Sequence, residues 1–174
     1  KAMLGLGAAA AGFVSFGIVT DFLKDATSAA IEDEKSVVAL SKAMDNLGMS
    51  SKTAMAEEFI NDMSLAIGIA DDQLRPALQR LVTVTGDLTV AQDLLALSSD
   101  VAAATGKDLA TVSLAMAKAA NGNIGALTRL GVPLDANIIK TKDFAAATAV
   151  LTEKFGGQAE AAAQTYGGQI ARLT

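Results

Sequence analysis

Thr89-Val-Ala-Gln-Asp-Leu-Leu-Ala-Leu-Ser-Ser-Asp-Val-Ala-Ala-Ala-Thr-Gly106 decides the fold class. Val90, Leu94, Leu97, Val101 and Ala104 recur at 4-3-4-3 spacing, the period of one helix face. Thr89 and Gln92 form a candidate capping box at its start, and Gly106 a stop at its end. The same grammar extends both ways. Upstream, Asp71 and Asp72 open a helix with Leu74, Leu78 and Leu81 on one face and Pro76 in its first turns. Val82-Thr-Val-Thr85, the one clear β-branched run, is too short to argue for a sheet and reads as the end of that helix, running into Gly86. Before it, Met55, Phe59, Met63 and Ile67 recur every four residues up to Gly68, with Ser50 or Ser51 as cap. Earlier still, Asp21 to Leu47 reads as amphipathic, with Val37, Leu40, Met44 and Leu47 in register and Gly48 as stop.

Downstream, a helix from about Asp108 turns Leu109, Val112, Met116 and Ala119 inward and stops at Asn121-Gly122. A short one covers Asn123 to Leu130, ended by Gly131 and Pro133. After an irregular stretch, Phe144, Thr148, Leu151 and Phe155 mark a helix ending at Gly156-Gly157, and Gln158 onward is expected to be helical. The expectation is an all-α chain of about eight helices joined by glycine-punctuated turns. Residues 1–48 form a first region and 49–174 a multi-helix domain. Lys1 is not a start methionine and the C-terminus breaks off in a helical pattern, so a piece of a longer chain is expected.

Composition agrees. Of 174 residues, 51% are apolar, yet 36 are alanine and only 4% aromatic. Mean hydropathy is +0.38. Alanine leads the helix scale and fills little volume, which favours closely approached helices over a thick aromatic core. With no histidine and no cysteine, the chain has no His or Cys zinc site, no Ser-His-Asp or Cys-His pair, no thiolate-bound cluster and no disulfide. A net charge of −5 argues against binding nucleic acid through phosphates. The charge is uneven: residues 53–108 hold three cations and nine anions, and 109–174 six and four.

Ala2 to Thr20 is uncharged throughout, close to the length that spans a bilayer as a helix. Gly5/Ala9, Ala8/Gly12 and Ala11/Ser15 place small residues four apart, the spacing that lets helix backbones approach. Two readings stay open, a buried helix at the centre of an oligomer and a membrane-active segment. The packing or membrane residues are Gly5, Ala8, Ala9, Gly12, Phe13, Phe16, Gly17 and Ile18.

Asp71-Asp72, Glu57-Glu58 and Glu32-Asp33-Glu34 are carboxylate clusters. Helix neighbours point about 100 degrees apart, so they read as solvated faces or helix starts rather than an acid–base pair. Gly122-Asn-Ile-Gly125 and Gly156-Gly157 follow no strand and precede no Gly-Lys-Ser/Thr, so they are helix stops rather than phosphate loops. Thr105-Gly-Lys-Asp108 likewise lacks the rest of a Walker motif. Arg75, Arg80, Lys140 and Lys142 are too sparse for a nucleic-acid groove. No catalytic residue, metal ligand or cofactor is expected.

One longer pattern remains. Leu74-Arg-Pro-Ala-Leu-Gln-Arg-Leu-Val82, Thr85-Gly-Asp87, Ala91-Gln-Asp-Leu-Leu95 and Asp100-Val-Ala-Ala-Ala-Thr-Gly-Lys-Asp-Leu109 are followed by Val112-Ser113 and Ala117-Lys-Ala-Ala-Asn-Gly-Asn123. Ala126-Leu-Thr-Arg-Leu-Gly131, Asn137-Ile-Ile-Lys140 and Phe155-Gly-Gly-Gln-Ala159 complete it. In this order, over more than half of the chain, the text resembles the phage tail tape measure protein family. The resemblance of the alanine- and glycine-rich front is one of composition alone. The resemblance implies a non-enzymatic structural protein of the virion. It would lie in the tail-tube lumen or tail tip of a long-tailed phage, set tail length, plug the tube and leave ahead of DNA, reaching the host cell envelope. Its implied partners are tail tube, distal tail and baseplate hub proteins and the host membrane, with no stable nucleic-acid binding. The front stripe would let copies pack about an axis as a homotrimer. The rival expectation is a membrane-active helical toxin or pore-forming module; a muralytic enzyme is disfavoured.

Overall fold

The computed structural model describes residues 34–165. The apolar segment Ala2–Thr20, the eight packing residues within it and the expected helical run beyond residue 165 lie outside the described residues. Within them the chain is all-α, with no strand. Helix α1 covers 34–46. After a 3-10 turn at Ser50–Lys52 come α2 (Thr53–Ile67), α3 (Asp71–Thr85), α4 (Leu88–Thr105), α5 (Leu109–Ala120) and α6 (Gly125–Thr128). The series ends with α7 (Ala136–Thr141), α8 (Phe144–Phe155) and α9 (Gln158–Ala163).

α3, α4 and α5 pack on one another and form the centre. Leu74, Leu78 and Leu81 on α3 and Val112 and Met116 on α5 are fully buried, as their spacing predicts. Around this trio, α8 and α9 lie on α4, α2 spans α3 and α9, α6 lies on α5, and α7 touches α8. α1 adds Leu40 and Met44 to the same core. Pro76 sits in the second turn of α3, where the amide it lacks would have bonded the carbonyl of the exposed Asp72.

α4 departs from its single predicted stripe. Leu94, Leu97 and Val101 are buried as expected, but so are Leu88, Ala91, Leu95, Ser98 and Ala102, while Val90 is 44% exposed and Ala104 is exposed. The helix is covered from several directions, and its second buried face is built partly from alanine and serine, which hydropathy spacing does not register. The Ser98 and Ser99 hydroxyls donate to the Leu94 and Leu95 carbonyls at 2.6 and 3.1 Å. Their polar atoms are thereby satisfied inside the helix, and neighbours pack against small flat surfaces.

On α2, too, the predicted stripe is displaced. Ala56 and Ile60 are buried, Phe59, Met63 and Ile67 are half-buried, and Met55 is 58% exposed. A four-residue repeat advances about 40° per step around a helix of 3.6 residues per turn, so the row winds off the contact line.

The caps also differ from expectation. Neither Ser50 nor Ser51 caps α2, which starts from the 3-10 turn without a side-chain cap. The cap of α4 is Asp87, whose carboxylate accepts the Val90 amide at 2.9 Å, in place of the Thr89/Gln92 box. Asp108, Asp135 and Asp143 cap α5, α7 and α8 in the same way. α7 lies in the stretch expected to be irregular. α9 ends at Ala163, short of a continuous run.

Candidate functional site

The sequence clusters Glu57-Glu58 and Asp71-Asp72 read as solvated carboxylates. The fold joins one member of each through a buried cation. Arg75 points from α3 toward α2 and is 6% exposed. Its Nε donates to Glu57 Oε2 at 2.8 Å, one Nη donates to Asp71 Oδ2 at 2.7 Å, and the other reaches Ser36 Oγ on α1 at 3.4 Å. Burial alone would lower the Arg75 pKa. The hydrogen bond and charge of Glu57, followed by those of Asp71, outweigh it and hold the guanidinium above its ordinary value. The charge is thus locked on, and one side chain ties three helices. Glu57 Oε1 and, one turn earlier on α2, Thr53 Oγ1 are buried without a hydrogen-bond partner among the described residues. Arg80 bridges α3 to α5, donating to Ser113 Oγ at 2.6 Å.

A second polar junction lies where α4 meets the α8–α9 turn. Asp100 accepts the Gly157 amide at 3.0 Å on one carboxylate oxygen and the Ala159 amide at 2.9 Å on the other. These are the free amides at the start of α9, where a bound anion would sit. The chain fills that place with its own carboxylate. Gly157 adopts φ +80°, a left-handed value that favours glycine. Gly156 is required for space, since a Cβ there would stand 2.7 Å from the Thr152 carbonyl oxygen.

Beside this junction, an apolar groove of about 360 Å³ runs between α2, α4 and α9, floored by Phe59, Met63, Ile67 and Ala96. Asp62, Asp100 and Glu160 border it. Asp100 has each oxygen on a backbone amide, a structural use of the carboxylate. Among the described residues no group of carboxylates is arranged to hold a metal ion. No described helix is long and apolar enough to cross a membrane.

No protein family, curated protein or solved structure matches the chain. The charged groups brought together by the fold therefore have to be read by what they touch. Arg75, Glu57 and Asp100 each touch another helix of this chain, and Asp71 braces Arg75 from within α3. Periodicity could not have found either junction, because Glu57 and Arg75 are 18 residues apart and Asp100 and Ala159 are 59 apart.

Proposed function

We propose that this chain is a non-enzymatic structural piece of a phage tail tape measure protein. On this reading it acts by packing in the tail-tube lumen or tail tip, associates with copies of itself, and leaves with the plug at genome ejection. The observation that carries the reading is the use to which the chain puts the polar groups between its helices. Arg75 and Asp100, set in the stretch from Leu74 onward that bears the family resemblance, bind helix to helix, and the α3–α4–α5 core is assembled from that same stretch. Its net charge of −5 suits a body that has to clear a DNA channel without clinging to the phosphates. The transfer of Ala2–Thr20 into the host envelope is part of the proposal, and it rests on the length and apolar character of that segment alone.

Antibodies against this chain test the reading on purified virions of the phage that encodes it. The expected result is a signal in tails that is lost from particles after DNA ejection. A chain present in infected cells but missing from virions and tails overturns it.

A further inference from the structure

From Lys107 to Lys142 the chain carries five cations and two anions, against nine cations and seventeen anions elsewhere. Both anions in the basic segment are helix caps: Asp108 accepts the Thr111 amide and Asp135 the Asn137 amide. The cations stay exposed. Lys107, Lys118 and Arg129 rim a cleft of about 160 Å³ between α5 and α6, floored by Leu114, Ala126 and Leu130. None of the three cations makes an ion pair among the described residues. Leu114 stands 43% exposed at this cleft, so the surface is an apolar floor with a basic rim.

The opposite surface exists on the same chain. Met55, Glu58, Asp62 and Leu65 follow one another at 3-4-3 spacing along the outward side of α2. Met55 is 58% and Leu65 76% exposed, and both carboxylates between them are exposed. α2 contains no cation. The stripe runs for about 15 Å at the helical rise, and Leu109 to Lys118 covers about 14 Å along α5. In one protomer α2 packs on α3 and α9, whereas α5 packs on α3, α4 and α6. No α2 residue lines the cleft, so the stripe does not fill it within one protomer, whereas a second molecule can bring the two together.

We propose that the α5–α6 cleft is the docking site for the α2 stripe of a second copy of this chain. Glu58 and Asp62 would meet Lys118, Arg129 and Lys107, with Leu65 entering the apolar floor at Leu114. Two different patches make a heterologous contact, which repeats head to tail until it closes into a ring or runs on. The inference deepens the self-association in the proposed function and rests on it, while assigning it to charged surfaces distinct from residues 2–20.

Charge reversal tests it on the full 174-residue chain, with mass read by light scattering and sedimentation. The wild type is expected to exceed its monomer mass of 17.6 kDa at low ionic strength and to dissociate as salt screens the exposed charges. Glu58→Lys with Asp62→Lys, and separately Lys118→Glu with Arg129→Glu, should each weaken association by about tenfold or more. An equimolar mixture of the two variants should associate again, because the reversed faces complement each other. All four positions are exposed, and retained helical circular dichroism confirms that each variant folds. Association unchanged in both variants overturns this interface and leaves the self-association reading standing. A wild type that is monomeric at every concentration and salt overturns both.

Discussion

The carboxylate of Asp100 on α4 holds the amide of Ala159, 59 residues away, at 2.9 Å, and with its other oxygen the amide of Gly157. An N-cap is ordinarily supplied by the residue just before the helix; here it comes from a neighbouring helix. Asp100→Ala should therefore cost about 1 kcal/mol, as N-cap deletions do, and should loosen α9 from α4. Asp100→Asn keeps one acceptor and should lose less. Thermal melts of the two variants, with hydrogen exchange at Ala159, check the order.

Arg75→Ala should be the more damaging change. It strands Glu57 partly buried, and removing one partner of such a pair costs about 3–5 kcal/mol when burial is complete. Because the Glu57 side chain is 24% exposed, the lower end is expected. Arg75→Met combined with Glu57→Leu should recover much of the loss, since it removes both charges while keeping the volume. Urea unfolding of the single and double variants measures the coupling.

How much of this was legible in the sequence depends on the range of the interaction. Helix stops at Gly48, Gly86, Gly106 and Gly122 were legible because a left-handed φ is a local demand, and all four adopt φ between +66° and +89°. The leucine face of α3 was legible because α3 keeps a polar side. The second face of α4 was not, because Ala91, Ser98 and Ala102 carry little hydropathy and are buried by what surrounds them. Nor were the aspartate caps at Asp87 and Asp143, for a capping residue is recognised only once the first helical residue is known. α7 escaped because six residues carry too little periodicity. The Arg75 and Asp100 junctions depend on which helices become neighbours.

Two backbone positions should respond in opposite directions. Lys142 closes α7 at φ +56°, the one non-glycine residue with positive φ among those described. Lys142→Gly should raise stability by up to about 1 kcal/mol by relieving the left-handed strain. Gly156→Ala should lower it, because its Cβ would meet the Thr152 carbonyl oxygen at 2.7 Å and the α8–α9 turn would have to shift. Melting temperatures of the two variants separate the effects.

The cap of α5 predicts a pH dependence. The Thr111 backbone amide, and after it the Thr111 hydroxyl, hold Asp108 below its ordinary value of 3.8, with a smaller pull from Lys107. The folded state binds that proton less readily than the unfolded chain. The contribution is therefore present above about pH 3.8 and lost as pH falls through the folded value. Melts between pH 7 and pH 2.5 should show a smaller acid-induced loss in Asp108→Asn than in the wild type.

The membrane part of the proposal has its own test. Deleting residues 2–20 should abolish dye release from liposomes if the full chain causes it. Equal release by the truncated chain removes envelope insertion from the proposed role.

The position of α4 carries a mechanical consequence. It touches α3, α5, α8 and α9, and its buried serines are bonded to its own backbone rather than across to those neighbours. Under a pull applied at the two ends of the described chain, α1 with α2 and α8 with α9 stand between the load and the α3–α4–α5 trio. They should peel away first, with Arg75 and Asp100 as the catches that yield at each end. Single-molecule extension would then record a staged unravelling whose last and highest force peak is the parting of α4 from its partners.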